Sequence, residues 1–364
     1  MIPQNQQASH LLLNKTLPDG WKVMKKLERP DGHTGGTYSA CYEVVRGTQK
    51  GFLKAFDYSS AEKVSNDRSG TDQIRDILNA YTLERDILDA CTSKNCKNVV
   101  RLLAKGGVDV EEVPKYPRVE YLILEYAEDG DIRATLEKRR DNHLVWQLRS
   151  LHQLCNGLRQ IHDLEIAHQD VKPSNIVTLQ NGLTKLTDFG SAVYVNGSIP
   201  DLPYHVKKTI PGTWAYAPPE LLYGYVSENP ITRRIGCDLY LLGSMVVYYF
   251  TNSNMTGLIR GNLADQLSWT DPSTQGNYPQ VKPYVQLAFE MALKDLGRSI
   301  ADKKIRDLVV LSVKYLCNPD PELRGHIKTI KQIGPNYSLH RFVTMFDVLA
   351  TEYELKYRHG NSSK

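Results

Sequence analysis

The sequence lacks the features that would direct the chain to a membrane, to secretion or to a cysteine-bound metal. Its longest apolar run, Tyr240 to Phe250, is too short to span a bilayer. The N-terminus has no basic segment followed by an apolar core, and the six cysteines lack the paired spacing of a zinc site or a secreted disulfide framework. We therefore expect a soluble, intracellular and cytoplasmic protein whose cysteines are buried thiols.

A strong excess of either charge is also missing. With 45 Lys and Arg against 41 Asp and Glu, the formal net charge is +4, spread over 364 residues. This balance argues against nucleic acid or an anionic membrane as the main partner. Only about the first fifteen residues and the last segment, RHGNSSK, are predicted to be disordered.

Two short motifs stand out in what the chain does contain. The first, AHQDVKPSN, carries Asp170, Lys172 and Asn175, and the second, TDFG, carries Asp188. The segment between them alternates apolar and polar residues, which predicts a hairpin. Phosphoryl transfer needs a carboxylate near the attacking hydroxyl and an Asn/Asp pair for metal ions. The alternative is a polar surface turn that carries the motif by accident.

Together these motifs resemble the catalytic and metal-binding loops of the eukaryotic-type Ser/Thr protein kinases. The resemblance implies that Asp170 accepts the proton of the substrate hydroxyl and that Lys172 contacts the transferring phosphate. Asn175 and Asp188 would hold Mg²⁺, or alternatively Mn²⁺. The implied phosphoryl donor is ATP and the implied partner is a protein substrate, whereas nothing in the sequence indicates an oligomeric state.

One position of the catalytic loop departs from the family pattern. Gln169 stands where the family usually has an arginine that pairs with a phosphorylated residue of the activation segment. A glutamine side chain supplies no charged, bidentate fork to a phosphate. We therefore predict activity that does not depend on phosphorylation of this segment. Three hydroxyls in the segment are candidate phosphorylation sites: Ser198, Tyr204 and Thr209.

The N-terminal third alternates strand-like segments with one helical pattern. Apolar residues at three- and four-residue spacings predict a helix from Thr71 to Ser93. By resemblance, Lys54 would contact the nucleotide phosphates and Glu84 would pair with it; the alternative for both is a solvated surface charge. Strands are predicted at 21–27, 38–45, 51–56, 99–103 and 121–126.

Further residues are implied in nucleotide binding by their place in family order. Phe52 stands where the family usually has a small alanine above the adenine, so its ring would either swing aside or narrow that pocket. The glycine-rich loop would comprise Thr34, Gly35, Gly36 and Ser39. Along the connection that follows the last strand, Leu124 would be the gatekeeper, Glu125 and Ala127 would offer main-chain hydrogen bonds and Asp131 would reach the ribose; Val177 would complete the set.

After the motifs, GTWAYAPPE resembles the end of a kinase activation segment and places Thr213 near Asp170 and Lys172. Asp238 would hold the catalytic-loop backbone. Glu220 would pair with Arg324. The resemblance implies an α+β, two-lobed protein-kinase-like fold, with a small antiparallel β-sheet lobe plus one helix and a larger, mainly helical lobe. Its predicted boundaries are an N-terminal extension (1–20), a small lobe (21–126), a large lobe (127–349, with an insert near 251–304) and a C-terminal tail (350–364).

Two other function classes remain open from the sequence. A pseudokinase that acts as a nucleotide-binding or scaffolding module would explain the departures at Thr34, Ser39, Phe52 and Gln169. A small-molecule phosphotransferase of related fold would share the catalytic Asp, Asn and metal-binding Asp, but such enzymes generally lack the GTxxYxAPE segment that this chain resembles.

Overall fold

The computed structural model describes residues 7–28, 39–59, 70–113, 116–139, 143–196, 210–332 and 337–361. Thr34, Gly35, Gly36 and the three candidate phosphorylation sites lie outside these described residues. Contacts divide the chain into two compact units, Met1–Gly130 with Thr187–Gly190 and Asp131–Leu186 with Ser191–Lys364. The TDFG motif thus groups with the first unit, whereas the predicted boundaries assigned it to the large lobe.

The first unit is built on one antiparallel sheet and one long helix. The strands run in the order β1-β2-β3-β5-β4. Alternating burial along β2 shows that one face of the sheet is covered. The elements are β1 (Lys22–Leu27), β2 (Ser39–Arg46), β3 (Gln49–Phe56), α1 (Gly70–Ser93), β4 (Leu102–Asp109) and β5 (Arg118–Glu125).

The N-terminal segment packs against this sheet. Leu12, Leu17 and Trp21 are buried in the same apolar cluster as the sheet residue Tyr42. The Tyr42 hydroxyl donates to the main-chain carbonyl of Ser9 at 2.7 Å. The predicted disorder of about the first fifteen residues is therefore wrong from residue 7 onward, because the apolar side chains of this segment are buried against the sheet.

The fourth strand lies later in the chain than predicted. The structure places it at Leu102–Asp109 rather than at 99–103, and its partner begins at Arg118 rather than at residue 121. Part of the predicted hairpin insert is therefore paired strand. Gly107 lies within this pairing, opposite Glu120. The glycines and charged residues of this strand interrupt the alternating apolar pattern, so the pattern did not predict a strand there.

The second unit is mainly helical, with short strands between the helices. β7 (Ile166–Ala167) pairs with β10 (Val193–Tyr194), and β8 (Ile176–Thr178) pairs with β9 (Thr184–Leu186) as the predicted hairpin. A two-residue strand, β6, covers Gly130–Asp131. The helices are α2 (Ile132–Lys138), α3 (His143–His162), α4 (Pro219–Leu222), α5 (Pro230–Thr251), α6 (Met255–Gly261), α7 (Tyr278–Ser299), α8 (Lys303–Leu316), α9 (Ile327–Ile330) and α10 (His340–Asn361).

Helix α5 is the centre of the second unit. The Asn229 side chain caps its N-terminus by accepting from the amides of Ile231 and Thr232. Gly243 permits close packing on α8, because a Cβ atom there would lie 2.8 Å from the Cβ of Leu316. Within the described residues, no helix has the length and apolar character needed to cross a membrane.

Helix α10 occupies most of the predicted C-terminal tail. It continues to Asn361, so the disorder predicted for RHGNSSK is wrong for the residues of that segment within the helix. Arg149 of α3 holds the helix through ion pairs to Asp347 at 2.6 Å and Glu354 at 2.8 Å. Phe346 is fully buried. These contacts join residues distant in sequence, which a local pattern does not reveal.

Candidate active site

Lys54, in β3, forms the centre of a charge cluster in the first unit. Its Nζ atom donates to both carboxylate oxygens of Glu84, at 2.8 and 2.7 Å, and to Oδ1 of Asp188 at 2.9 Å. Glu84 comes from α1 and is 1% exposed; Lys54 is 8% exposed. The predicted Lys54–Glu84 pair is therefore present, and the solvated-surface alternative is wrong for both residues.

The cluster keeps Lys54 cationic. Burial alone would lower the pKa of the ammonium, but the charges of Asp188 and Glu84 outweigh it and raise the pKa well above its usual value. A fixed, desolvated cation at this position attracts phosphate oxygens more strongly than a solvated one.

Asp188 holds an unusual backbone conformation. Its φ of 61° lies in the left-handed region, which aspartate tolerates better than most residues. The next side chain, Phe189, is fully buried. The Asp188 side chain keeps 26% exposure. The carboxylate is therefore oriented by the backbone and by Lys54 while part of its surface still faces solvent.

The residues implied in adenine recognition lie along β3, β5 and the segment after β5. Leu124 is buried and stands opposite Phe52 in the strand register. Glu125 is half-buried; its amide donates to the Arg101 carbonyl, and its carboxylate accepts from the Arg101 amide. The Ala127 carbonyl accepts from the Gly130 amide at 3.1 Å.

Two other nucleotide-binding candidates fall on strands. Ser39 is the first residue of β2 and is paired in register with Phe56. Val177 is the half-buried middle residue of β8 in the second unit.

Asp131 has a structural role that the sequence did not indicate. Its Oδ1 atom caps α2 by accepting from the Ala134 amide at 3.1 Å. Its Oδ2 atom accepts from Nε and Nη2 of Arg133, at 3.0 and 2.6 Å. Both carboxylate oxygens are engaged within the first turn of α2, so a ribose hydroxyl would have to share them.

The backbone of the catalytic loop is anchored by Asp238. Its Oδ2 atom accepts from the His168 amide and its Oδ1 atom from the Gln169 amide, both at 2.7 Å. His162 Nε2 lies 2.9 Å from Oδ2. Asp238 is fully buried, so these hydrogen bonds form where water does not compete. They hold Gln169 in a left-handed conformation with φ 65°.

Asp170, Lys172, Asn175 and Thr213 form one polar group in the second unit. Lys172 Nζ lies 2.7 Å from Asp170 Oδ2 and donates to Thr213 Oγ1 at 2.7 Å. Asn175 Nδ2 donates to the main-chain carbonyl of Asp170 at 2.9 Å and to Oδ2 at 3.1 Å. The structure therefore brings together the residues that the motif singled out, and Thr213 joins them as predicted.

Gly212 shapes the space beside Asp170, a role that sequence reasoning did not assign. Its φ is 71°, and a Cβ atom there would lie 2.7 Å from Asp170 Oδ1 and would also collide with the Gln169 carbonyl. Glycine therefore allows the backbone at position 212 to lie close against Asp170 and Gln169. The signal in the sequence was the glycine that begins GTWAYAPPE.

The two predicted metal ligands offer suitable donor atoms. The Asn175 amide nitrogen is used on Asp170, and its oxygen accepts from the Ser174 hydroxyl at 3.2 Å. Amide and carboxylate oxygens are hard donors of the kind that Mg²⁺ uses, usually with substrate phosphates completing its shell. Asn175 and Asp188 therefore fit such an ion chemically. Among the described residues, no group of three or more His, Cys, Asp or Glu forms a metal site.

The segment after Thr213 is secured by a buried ion pair. Arg324 donates from both terminal nitrogens to the two carboxylate oxygens of Glu220, each at 2.6 Å. Its guanidinium also lies 5.0 Å from the centre of the Tyr240 ring. This is the pairing that the sequence predicted, and its bidentate geometry fixes the start of α4.

Comparisons with known proteins agree with this geometry. The family model described as "Protein kinase domain" matches residues 35–332. MAP3K epsilon protein kinase 2 of Arabidopsis thaliana is 26% identical over 280 residues, covering 76% of this chain and 18% of that protein. Aurora kinase C of Mus musculus is 30% identical over 123 residues, covering 34% of this chain and 40% of that protein.

A further relative is matched over more of its own length. Mitogen-activated protein kinase kinase kinase 20 of Arabidopsis thaliana is 29% identical over 243 residues, covering 62% of this chain and 67% of that protein. The first two relatives are matched over less than half of their length. The family model, by contrast, covers most of this chain. The chain therefore belongs to the protein kinase family, in its eukaryotic-type Ser/Thr branch.

Proposed function

We propose that this chain is a catalytically active Ser/Thr protein kinase that transfers the γ-phosphate of ATP to a hydroxyl of a protein substrate. The observation that carries the proposal is the Lys172 ammonium, which bridges the Asp170 carboxylate and the Thr213 hydroxyl. A base and a cation held together beside the activation segment supply what transfer to a hydroxyl requires.

Asp170 is the proposed acceptor of the substrate proton. Its Oδ2 atom is held by Lys172 and Asn175, so the carboxylate that would accept the proton has a restrained orientation. Lys172 would offset negative charge as the phosphoryl group moves. Lys54, held by Glu84 and Asp188, would contact the phosphates of ATP.

Mg²⁺, or Mn²⁺, would neutralise charge on the phosphates, with Asn175 and Asp188 as its protein ligands. The chain's own contribution is to present one amide oxygen and one carboxylate oxygen in restrained orientations. Asn175 is restrained by its hydrogen bonds to Asp170, and Asp188 by its ion pair with Lys54.

Activity is further proposed not to depend on phosphorylation of the activation segment. The side-chain amide nitrogen of Gln169, Nε2, donates to the main-chain carbonyl of Arg234 at 2.7 Å and to Asp238 Oδ1 at 3.3 Å. The nitrogen of this side-chain amide is therefore already bound to neighbouring protein groups. An amide also lacks the charge that makes an arginine a strong phosphate ligand.

A pseudokinase scaffold is the second candidate, and two contacts in the structure favour it. Phe52 stands opposite Leu124 in the strand register, and both oxygens of Asp131 are engaged in α2. These features would weaken nucleotide binding without touching the catalytic loop. A thermal shift caused by Mg-ATP and lost in Lys54→Ala would favour the kinase, whereas absence of any shift would favour the scaffold.

The decisive experiment measures transfer of labelled γ-phosphate to a generic basic protein and to the chain itself, with Mg²⁺ and Mn²⁺. Asp170→Asn is the matched control, because an asparagine keeps the size of the side chain and removes the base. Phosphoserine or phosphothreonine that forms with wild type and not with the variant supports the kinase. Absence of transfer by folded wild-type protein under both metals would refute it.

A further inference from the structure

Gln169 and Arg234 are linked by a series of contacts that does not involve the proposed catalytic residues. Gln169 is 4% exposed and its Nε2 atom donates to the main-chain carbonyl of Arg234 at 2.7 Å. The same amide lies 3.3 Å from Oδ1 of Asp238, the residue that holds the catalytic-loop backbone. The side chain next to the proposed base is thus tied to the first turns of α5.

The Arg234 side chain continues this connection toward the activation segment. Its Nη1 atom donates to two successive main-chain carbonyls, of Tyr194 and of Val195, the latter at 2.7 Å. Arg234 is 6% exposed, and burial together with the charge of Arg233 lowers its pKa. Burying a guanidinium is costly unless its donors are hydrogen-bonded. These two carbonyls therefore hold the Arg234 side chain at a specific position.

Tyr194 and Val195 are also tied to the strand that leads into the catalytic loop. In the β7–β10 pair, Tyr194 lies opposite Ile166. The Val195 amide donates to the Glu165 carbonyl at 2.7 Å, and the Val195 side chain is buried. Arg234 therefore clamps the outer side of a short strand whose inner side pairs with the chain just before His168.

We propose that Arg234 is a positioning residue: through the carbonyls of Tyr194 and Val195 it fixes the start of the activation segment against the catalytic loop without a phosphate. Gln169 completes the device by holding the Arg234 main chain with a neutral amide. The inference rests on the proposed kinase function and gives a structural reason for its independence from phosphorylation.

The device also explains why a neutral residue suits position 169. An arginine there would place a longer, positively charged side chain at a position that is 4% exposed and hydrogen-bonded to the Arg234 carbonyl. Burying a guanidinium is costly unless all its donors are satisfied. Gln169→Arg should therefore disturb the clamp instead of improving the enzyme.

The test compares the full chain with Arg234→Ala and Arg234→Lys, after phosphatase treatment. Arg233→Ala is the matched control, because the neighbouring arginine donates to the Ser227 carbonyl and, among the described residues, makes no hydrogen bond to the activation segment. For each protein, kcat and KM for ATP are measured, together with hydrogen exchange of the peptide that contains Val195. Thermal melting identifies any variant that fails to fold.

Arg234→Ala is expected to lower kcat by about 10- to 100-fold, the size of effect that small misplacements of catalytic groups produce, with KM for ATP unchanged. Arg234→Lys should recover part of kcat, since an ammonium also donates to carbonyls. Exchange at Val195 should accelerate most in Arg234→Ala, less in Arg234→Lys, and not in Arg233→Ala. Gln169→Arg should lower kcat in the same direction.

Wild-type kcat and unchanged exchange in a folded Arg234→Ala protein would overturn the inference, even if the chain proves to be an active kinase. If Arg234→Ala does not fold, Arg234→Lys decides: a partly lowered kcat together with faster Val195 exchange than in Arg233→Ala would support the clamp, and kcat and exchange equal to those of Arg233→Ala would contradict it. If wild type transfers no phosphate, the proposed function fails, while faster Val195 exchange would still support the clamp.

Discussion

The two polar clusters of this protein are held in different ways. In the first unit, Lys54 is fixed by opposite charges, with Glu84 and Asp188 directly on its ammonium. In the second unit, the loop around Asp170 is fixed mainly by hydrogen bonds to its backbone, from Asp238 and Asn175. A charge cluster loses its balance when one member is removed, whereas a hydrogen-bonded loop tolerates replacement by an isosteric neutral group.

The clearest separation between an effect on catalytic rate and an effect on folding stability is expected for a substitution at Asp170. Asp170→Asn should lower kcat by about 10²- to 10⁴-fold, the usual contribution of a general base. The free energy of unfolding should fall by less than about 3 kcal/mol, because asparagine keeps the shape and acceptor atom of this buried side chain while it removes the charge opposite Lys172. Steady-state kinetics and urea unfolding of the same preparations check both values. A large loss of stability would show that the second cluster also depends on charge.

The opposite pattern is expected at Glu84. Glu84→Ala should lower the free energy of unfolding by about 3–5 kcal/mol, because it leaves the buried Lys54 with less compensation. Asp86→Ala is the matched control on the same helix, since Asp86 is half exposed and pairs only with a surface arginine among its described contacts. That control should cost less than about 1 kcal/mol. Equal losses in urea unfolding would contradict the contrast.

Substitution of Phe52 tests whether nucleotide binding is altered in this protein while the catalytic residues are intact. Phe52→Ala should lower KM for ATP by about tenfold, equivalent to about 1.4 kcal/mol, by removing the ring that faces Leu124. The value of kcat should stay within about twofold, since the substitution leaves Asp170 and Lys172 of the second unit unchanged. An unchanged or higher KM would show that the ring does not restrict the pocket.

The smallest expected effect concerns pH. The pKa of Lys54 is raised in the folded state, so its stabilising contribution is fully present below the unfolded pKa of about 10.4 and is lost only as pH rises through the folded value. The stability difference between wild type and Lys54→Met should therefore stay constant from pH 7 to about pH 9. A difference that shrinks over this range would mean that Lys54 loses its proton near its ordinary pKa or below it.

Much of the site was predictable because it depends on short-range spacing. Asp170, Lys172 and Asn175 lie within one loop, and this loop together with TDFG at a short separation was enough to identify them. The Lys54–Glu84 and Glu220–Arg324 pairs join distant residues, and they were accessible only because the order of elements resembles that of a known family.

The rest depends on contacts that no local pattern encodes. The N-terminal segment is ordered from residue 7 because Leu12 and Trp21 pack against the sheet. The position of β4 was predicted wrongly because this paired strand contains glycine and charged residues. Asp131 was expected at a ribose and instead caps α2. The task of Arg234 emerges only once α5 and β10 are adjacent, since its partners are main-chain carbonyls, which every residue has.

The central claim is that an intact catalytic loop works here without a phosphate on the activation segment. The most direct test is the turnover of exhaustively dephosphorylated wild type, assayed at once with Mg-ATP and a protein substrate beside Asp170→Asn treated in the same way. The account predicts undiminished kcat for wild type and loss of turnover in the variant. Turnover that disappears on dephosphorylation and returns after rephosphorylation would contradict it.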